Sequence, residues 1–417
     1  MITVGARRLL FLALGHLSNG DISIAADFAR QLPASAFEVR FVTTAATASY
    51  VRALGLTAHP LDASGPRHNL VAFEQLMADY RPEAVIAADA FTLDYSAAWS
   101  GLSMGLLRQR FDVTLASFDQ YDYPAADYQV DFYPDFRVAF PRLLDDCDLI
   151  IRNSPLNRPA GNRPGVIVTR VSPAAETASP PRRPARPAGQ PPTVFITNSH
   201  WESVNVVQSL KPVQLMRSMP RIVHSHLAAL GRPLRVVHVG PAKWEFPVAP
   251  QIDYQHLTRL EPAEFQARLA EADLFLTGNA VSITLTKAVF AGVPSLLLGN
   301  DATFRVDELL RRDPEGAWLA EAAPMLTTVY PFRVAPWGWH RFLAPVLADN
   351  PYTDCFLTAD VFDRRQTLAA MTALLDDAAT RARLADARAR LLGALDELTP
   401  AAEAFDAELR RLRTGAG

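Results

Sequence analysis

Cysteine is scarce in this sequence, since Cys147 and Cys355 are the only two among its 417 residues. Two cysteines so far apart in the chain exclude the disulfide frameworks that hold small secreted domains together. Neither belongs to a CxxC pair or to a cluster of histidines and cysteines, so the sequence predicts no metal site. This cysteine usage fits a reducing cytoplasm.

A strong excess of charge is also missing. The formal net charge is −3 and the isoelectric point is near 6.3. Because the chain has no basic face, we expect no nucleic-acid partner and no attraction to an anionic membrane surface. An anionic ligand would have to be bound by local geometry instead.

Long hydrophobic runs are absent as well. No stretch approaches the ~18 uninterrupted apolar residues that predict a membrane-spanning helix. The apolar residues 9–14 follow Arg7 and Arg8, as the core of a signal peptide would, but the run is short and leads directly into a turn and an amphipathic pattern. We interpret it as the first buried strand.

Proline is plentiful and unevenly distributed. Residues 172–192 concentrate proline, alanine and arginine without apolar periodicity, which predicts an extended linker. On either side, short apolar runs alternate with helical patterns, as in parallel, doubly wound sheets. The sequence therefore predicts an α/β protein with two Rossmann-like domains, and its length favours two domains as well. In the first, strands are expected near 9–14, 37–43, 84–88, 113–118, 148–152 and 166–171, and helices near 21–32, 68–80, 95–110 and 138–146.

Residues 273–299 read as a strand, a polar turn, a short helix, a Gly-Val-Pro stop and a second strand. The apolar runs 274–276 and 296–298 predict buried strands. Ser282, Thr284 and Thr286 offer hydroxyls and backbone N–H groups where the helix begins, a setting that accepts anions. The alternative interpretation of this stretch alone is an ordinary βαβ turn without a ligand.

This segment resembles the nucleotide-sugar signature of GT-B glycosyltransferases, especially the UDP-glycosyltransferase-like group. Ala291-Gly292-Val293-Pro294 matches the end of that signature, and Thr284 falls on the Ser/Thr that holds donor phosphate in the family. Asn279 stands in place of the family's histidine, and Lys287 in place of the glutamate that holds the ribose. A lysine cannot accept hydrogen bonds from a sugar diol, but it can pair with a phosphate.

Two further turns complete the donor site that the resemblance implies. The strand at Thr193–Thr197 ends where GT-B enzymes touch the donor phosphate, and the strand at Leu234–Val239 ends where they approach the base or ribose. For the second turn, an ordinary strand-ending turn is the alternative. The predicted donor-binding residues are Asn198, Ser199, Gly240, Gly278, Asn279, Ser282, Thr284, Thr286 and Lys287.

The first strand is followed by Gly15-His16-Leu17-Ser18-Asn19, which is similar to the family's Gly-His-Leu/Ile-Asn-Pro turn. The resemblance implies that His16 is the catalytic base on the acceptor; a capping or loop histidine is the alternative. The family's partner aspartate maps to Asp89, although Asp94 and Asp119 also lie near strand ends. An aspartate that accepts from one imidazole nitrogen fixes the tautomer and raises the basicity of the other.

The acceptor is predicted to contact aromatic and acidic residues in two irregular stretches. One follows the strand near 113–118, where GT-B enzymes build the acceptor pocket, although such loops are also common on plain surfaces. The other is residues 330–342, whose rings could wall a ligand or simply staple a long loop to the core. The predicted acceptor-binding residues are Asp119, Tyr121, Trp337 and His340.

The resemblance implies a cytoplasmic, metal-independent glycosyltransferase without a cofactor, of the kind used in natural-product biosynthesis. It would move a sugar from a nucleotide-activated donor to a small-molecule or peptide acceptor. The implied layout is an acceptor lobe (1–172), a linker (173–192), a donor lobe (193–362) facing the first across a cleft, and C-terminal helices (363–417) that pack back toward the first lobe. Two alternatives stay open: a GT-B-fold enzyme such as a sugar-nucleotide hydrolase or epimerase, or one with another activated donor, and a non-catalytic binding or regulatory protein.

Overall fold

The computed structural model describes residues 6–15, 20–62, 64–120, 122, 129–133, 136–139, 142–172, 189–198, 210–300, 302–312, 316–329 and 344–415. In this part of the chain the strands are β1 Arg7–Ala13, β2 Phe37–Thr44, β3 Thr57–Leu61, β4 Ala84–Ala87, β5 Thr114–Asp119, β6 Gln129–Tyr133, β7 Phe136–Ala139, β8 Leu149–Ser154, β9 Val166–Arg170, β10 Thr193–Thr197, β11 Leu234–Val239, β12 Ile252–Leu257, β13 Leu274–Thr277, β14 Ser295–Gly299, β15 Phe304–Arg305, β16 Thr328–Val329 and β17 Leu357–Asp360.

The α-helices in the same ranges are α1 Gly20–Ala29, α2 Ala45–Ala53, α3 Pro66–Tyr80, α4 Ala90–Tyr95, α5 Ala97–Ser100, α6 Met104–Arg110, α7 Leu210–Ala229, α8 Pro262–Ala270, α9 Ile283–Phe290, α10 Val306–Arg312, α11 Ala317–Ala322, α12 Ala344–Leu347, α13 Arg364–Asp376, α14 Ala378–Asp396 and α15 Ala401–Thr414. None of these helices is long and apolar enough to cross a bilayer. The chain divides into two compact units, the first formed by Met1–Ala178 with Leu392–Gly417 and the second by Ser179–Leu391.

The first unit is built on a parallel sheet in the order β3-β2-β1-β4-β5-β8-β9. The chain runs outward from β1 to β3, then returns to place β4 on the other side of β1. Consecutive residues 9–12 of β1 are all buried, as expected for an internal strand whose two faces are both covered. The reversal in strand order between β1 and β4 is the position where doubly wound sheets bind ligands.

Phenylalanines form the centre of this unit. Phe11 of β1 stacks on Phe41 of β2, with ring centroids 4.9 Å apart. Phe28 of α1 meets Phe118 of β5 edge-on at 5.4 Å and Phe405 of α15 at 5.6 Å. The C-terminal helix α15 therefore completes the core of the first unit, although the whole second unit separates it in sequence from α1.

The second unit repeats the same winding with six parallel strands in the order β12-β11-β10-β13-β14-β17. Its core joins β10, β13 and β14 to α7 and α13, through side chains such as Val194, Leu276, Ile222 and Met371. The reversal now lies between β10 and β13. Their carboxyl ends lead into the turn at Asn198 and the loop before α9.

The two sheets confirm the predicted α/β, doubly wound class, but individual elements differ from prediction. The helical pattern at 138–146 is wrong, because residue 139 ends β7 and residues 143–146 form turns. The helix expected at 95–110 is divided into α4, α5 and α6. Gly101 ends α5 with φ +76°, and a Cβ there would lie 2.4 Å from the carbonyl oxygen of Pro66, so close packing imposes the break.

Candidate functional site

Asp89 lies at the carboxyl edge of the first sheet, directly after β4. Its backbone is extended and its side chain caps α4, where Oδ2 accepts the amide N–H of Thr92 at 2.8 Å. The side chain is 4% exposed. The hydroxyl of Ser96 donates to the carbonyl oxygen of Leu14 at 3.1 Å, which joins α4 to the end of β1. Asp89 is thus a buried helix cap beside the strand that leads into the segment containing His16.

Asp21, in the first turn of α1, reaches the same cap. The hydroxyl of Thr92 lies 2.9 Å from Oδ2 of Asp21 and 2.7 Å from Oδ2 of Asp89. Burial, and then the charge of Asp89, raise the pKa of Asp21 from its ordinary value to about 7, while hydrogen bonds from Thr92 and Gln120 act in the opposite direction. This edge therefore carries two neighbouring carboxyls, one of which releases its proton near neutral pH.

The other two aspartates near strand ends of this sheet have structural partners. Oδ1 of Asp94 accepts the amide N–H of Met104 at 3.0 Å, which links α4 to the start of α6, and burial raises the pKa of Asp94. Asp119, at the end of β5, is fully buried, and its carboxylate lies 3.6 Å from Nε of Arg152 in β8. As a predicted acceptor contact, Asp119 is placed at the correct edge but faces an arginine of its own sheet.

A chain of hydrogen bonds positions Asn198 at the carboxyl end of β10. Nε2 of His238 in β11 lies 2.6 Å from Oδ1 of Asn198, and Nδ1 lies 2.8 Å from the hydroxyl of Tyr254 in β12. That hydroxyl accepts the amide N–H of Trp244 at 3.0 Å. Because an amide oxygen can only accept, Nε2 of His238 carries the proton, and Tyr254 donates to Nδ1.

The imidazole at the centre of this chain is neutral. His238 is 2% exposed, and burial, followed by the electrostatic influence of the neighbouring His256, lowers its pKa to about 4. A neutral imidazole donates at one nitrogen and accepts at the other, as this arrangement requires. Trp244 stacks on Tyr254 with ring centroids 4.5 Å apart, which holds the phenol in place. Asn198 is therefore held in one orientation by groups from two neighbouring strands.

Gly240, at the end of β11, is the close neighbour of Asn198. A Cβ at Gly240 would lie 2.8 Å from the carbonyl oxygen and 3.2 Å from the Cβ of Asn198. The carbonyl oxygen of Gly240 accepts from Nε2 of His256 at 2.9 Å. The two predicted donor-binding residues thus lie against each other at adjacent strand ends, and the absence of a side chain at Gly240 makes this approach possible.

The loop between β13 and α9 is held by its own polar side chains. The hydroxyl of Thr277 accepts the amide N–H of Asn279 at 3.1 Å, and Oδ1 of Asn279 accepts that of Val281 at 3.0 Å. Ser282 caps α9 by accepting the amide N–H of Thr284 at 3.2 Å. Such turns fix the backbone that leads into α9, with Gly278 between the first two residues.

Two predicted donor residues lie further along α9. Thr286 is buried, and its hydroxyl lies 3.1 Å from the hydroxyl of Tyr352, so it is engaged in the interior of the second unit. Lys287 is half-buried one turn into the helix. The side chains of Thr284 and Lys287 are less buried than that of Thr286.

Several predicted site residues lie outside the described residues: His16, Ser199, Tyr121, Trp337 and His340. Their roles stay predictions, as do those of most of the linker. Within the described ranges, no three His, Cys, Asp or Glu side chains converge as a metal site would require.

A separate cavity of about 410 Å³ lies in the second unit and contains none of the predicted donor residues. Its walls include Arg221 and His224 of α7, Phe246, Glu321 of α11 and Arg364 of α13. The guanidinium of Arg221 lies over the ring of Phe246, and that of Arg364 over the ring of Trp318. Both guanidinium groups therefore pack on aromatic rings, and both arginines also line the cavity.

Sequence reasoning missed Asp21, Thr92, His238 and Tyr254. The signals for the first two were local: an acidic residue at a helix start, and a threonine three positions after a capping aspartate. No local signal identifies the other two, His238 and Tyr254. They are diagonal neighbours on two paired strands, and one of these strands, β12, was not predicted.

The family described as "Family of unknown function (DUF6365)" matches residues 28–417. Among curated proteins, none matches the sequence. Similar solved structures include the spinosyn forosaminyltransferase SpnP, at 16% identity over 97% of this chain and 99% of that one, with a TM-score of 0.57. The spinosyn rhamnosyltransferase SpnG is similar over 98% of this chain and all of its own, both with thymidine diphosphate (13% identity, TM-score 0.52) and with spinosyn aglycone (12%, 0.52). These are GT-B glycosyltransferases, and the fold of this chain is GT-B.

Proposed function

The chain belongs to the DUF6365 family, and from its fold and its two polar sheet edges we propose that it is a glycosyltransferase that uses a nucleotide-activated sugar. The observation that carries the proposal is the arrangement at the second sheet. Asn198, Gly240 and the loop before α9 follow the carboxyl ends of β10, β11 and β13, which are neighbours in the sheet. Carboxyl ends at a reversal of strand order are where such sheets bind nucleotides.

The donor diphosphate would be bound by backbone and hydroxyl groups. The first N–H groups of α9 have no partners within the helix, and the helix dipole favours negative charge at that end. Thr284 and Lys287 add a hydroxyl and a cation nearby. A leaving diphosphate stabilised in this way needs no metal ion. The similarity to SpnG solved with thymidine diphosphate supports a nucleoside diphosphate as the released product.

The acceptor hydroxyl would be activated at the edge of the first sheet. In the proposed reaction its oxygen attacks the anomeric carbon of the sugar, the bond from that carbon to the diphosphate oxygen breaks, and the hydroxyl proton passes to a base. We assign His16 as that base and Asp89 as its partner. The similarity to SpnG solved with spinosyn aglycone supports a small-molecule aglycone, rather than a peptide, as the acceptor, and hence a role in natural-product biosynthesis.

Direct binding and product analysis test this proposal. Nucleoside diphosphates and their sugars should raise the unfolding temperature of the full chain, and Lys287→Ala and Thr284→Val should weaken diphosphate binding. The effect of Lys287 should be larger at low ionic strength, because it is electrostatic. Incubation with a binding nucleotide sugar and a panel of hydroxylated acceptors should yield a mass increase equal to one sugar. Equal affinity for a nucleoside and its diphosphate would contradict the donor assignment.

Lys287 favours one alternative, a different activated donor. In the nucleotide-sugar signature a carboxylate at this position holds the ribose, whereas this chain has a lysine. The preferred donor therefore need not present a ribose diol at that position.

A sugar-nucleotide hydrolase would release free sugar in the absence of any acceptor. Chromatography of the products with and without acceptor separates the two activities.

A further inference from the structure

Two carboxyls converge on one hydroxyl at the edge of the first sheet. Oγ1 of Thr92 lies 2.9 Å from Oδ2 of Asp21 and 2.7 Å from Oδ2 of Asp89. A hydroxyl has one hydrogen and donates it to one oxygen at a time. The second contact is a hydrogen bond only if the other carboxyl is protonated and donates to the hydroxyl oxygen. Two full hydrogen bonds at these distances therefore call for one proton on the two carboxyls together.

That proton belongs to Asp21. Oδ2 of Asp89 also accepts the amide N–H of Thr92 at 2.8 Å, and both this bond and the N-terminus of α4 favour an ionised Asp89. Burial and the charge of Asp89 raise the pKa of Asp21 to about 7, in the same direction. The resulting order is Asp21 O–H to Thr92 Oγ1, and Thr92 O–H to the Asp89 carboxylate.

We propose that Asp21 and Asp89 share one proton through the hydroxyl of Thr92, and that Asp21 is a positioning residue that sets the charge at this edge. The inference of a shared proton does not depend on the proposed function. Its consequence for activity rests on the proposed function, in which an acceptor hydroxyl is deprotonated beside Asp89.

Among the described residues, the groups that act on the pKa of Asp21 are neutral or acidic. Thr92 and Asp89 face Asp21 from the start of α4, and the amide of Gln120 faces it from the end of β5 and lowers its pKa. Asp94, further along α4, interacts with Asp89 through their like charges. The segment that joins β1 to α1, which contains His16, lies outside the described residues.

The pair carries one negative charge while Asp21 is protonated and two once it ionises. A neighbouring imidazole becomes more basic as negative charge accumulates beside it. The ionisation of Asp21 should therefore strengthen a base at this edge as the pH rises through neutrality. Asp21→Asn keeps a hydrogen-bond donor for Thr92 and fixes the singly charged state.

Infrared spectroscopy of the full chain without substrate tests the shared proton. We expect a protonated carboxyl that titrates near pH 7, is lost in Asp21→Asn, and is kept in the control variants Asp94→Asn and Thr92→Ser, the second of which retains the hydroxyl. Asp21→Asn should also unfold at higher urea concentration than the wild type at about pH 8, because the raised pKa means that ionisation of Asp21 destabilises the fold. A signal that survives in Asp21→Asn, or a wild type with no protonated carboxyl above about pH 5, would overturn the proposal.

Transfer kinetics test the consequence separately. With a verified donor and acceptor, kcat of the wild type should rise around pH 7 as the base and Asp21 lose their protons. In Asp21→Asn the rise should be smaller and lie at lower pH, because the second negative charge never forms, while KM for the donor stays the same. A profile that is lowered equally at every pH would show a merely structural role for Asp21. If the wild type transfers no sugar, the proposed function fails, whereas the infrared titration still decides whether the proton is shared.

Discussion

The imidazole of His238 donates from Nε2 to the side-chain oxygen of Asn198 across 2.6 Å, between the carboxyl ends of β11 and β10. The bond has a direction because Tyr254 supplies a proton to the other ring nitrogen. Side chains from two adjacent strands, His238 of β11 and Tyr254 of β12, thus fix the amide of Asn198 at the place where the donor phosphate is expected.

Tyr254→Phe removes the donor to Nδ1 of His238 and the acceptor of the Trp244 amide. Each buried hydrogen bond contributes on the order of 1 kcal/mol, so we expect the second unit to lose about 1–3 kcal/mol of stability. Calorimetry should also show weaker binding of a nucleoside diphosphate, because Asn198 is less firmly oriented. The matched control is Tyr50→Phe, which removes a single hydroxyl contact, to Ser23, in the first unit. Equal diphosphate affinity in both variants would argue against a role for the chain of hydrogen bonds in binding.

Gly240→Ala tests the close approach between β11 and the turn after β10. The new Cβ would lie 2.8 Å from the carbonyl oxygen of Asn198, so the turn must shift. We expect a loss of about 1–3 kcal/mol in unfolding free energy, as for other overpacked sites, together with weaker nucleotide binding. Gly299→Ala is the control, since Gly299 also ends a strand of the second unit and a Cβ there meets nothing within 4 Å. Similar stability of the two variants would contradict the prediction.

Acid should destabilise the second unit through two buried histidines, His226 and His238. Burial lowers the pKa of both His226 and His238 to about 4. Since the unfolded chain takes up protons that the folded unit does not, stability falls as the pH drops from about 6.5 to about 4, by at most ~3.5 kcal/mol per histidine at about 1.4 kcal/mol per pKa unit.

His226→Gln isolates one of these contributions, because glutamine can still donate to the carbonyl oxygen of Val361, which Nε2 of His226 contacts at 2.8 Å. Urea unfolding at two pH values, with hydrogen exchange in α7 as the local readout, should show a weaker pH dependence than in the wild type. His68→Gln on the surface of α3 is the control. An unchanged slope in the His226 variant would mean that this histidine is not held neutral by burial.

The sequence predicted two doubly wound sheets because most of the buried strands appear in it as short apolar runs. It could not predict β3, whose sequence TAHPL is polar and half exposed. The sequence also placed Asp89 at the carboxyl end of a strand, because an apolar run precedes it. The partnership of Asp89 with Asp21 is between residues that are 68 positions apart in sequence and meet only because β1 and β4 are neighbours in the sheet. Local patterns identify strand ends, whereas the contacts that tune a site depend on strand order.

His16→Ala should abolish sugar transfer and leave donor binding intact, because His16 is proposed to act on the acceptor and the donor residues belong to the second sheet. Loss of a general base commonly lowers the rate by about 10²–10⁴.

Asp89→Asn should lower the rate of sugar transfer too, but by less. The amide oxygen still accepts the Thr92 amide N–H and keeps the cap of α4, while the charge that supports the imidazole is lost. Single-turnover assays with saturating donor, read beside calorimetry of the same variants, separate the two effects. Turnover that is unchanged in His16→Ala with a verified substrate pair would remove His16 from the mechanism. Since Asp94 accepts the amide N–H of Met104 and Asp119 faces Arg152, the base would then have to be a residue other than these two aspartates.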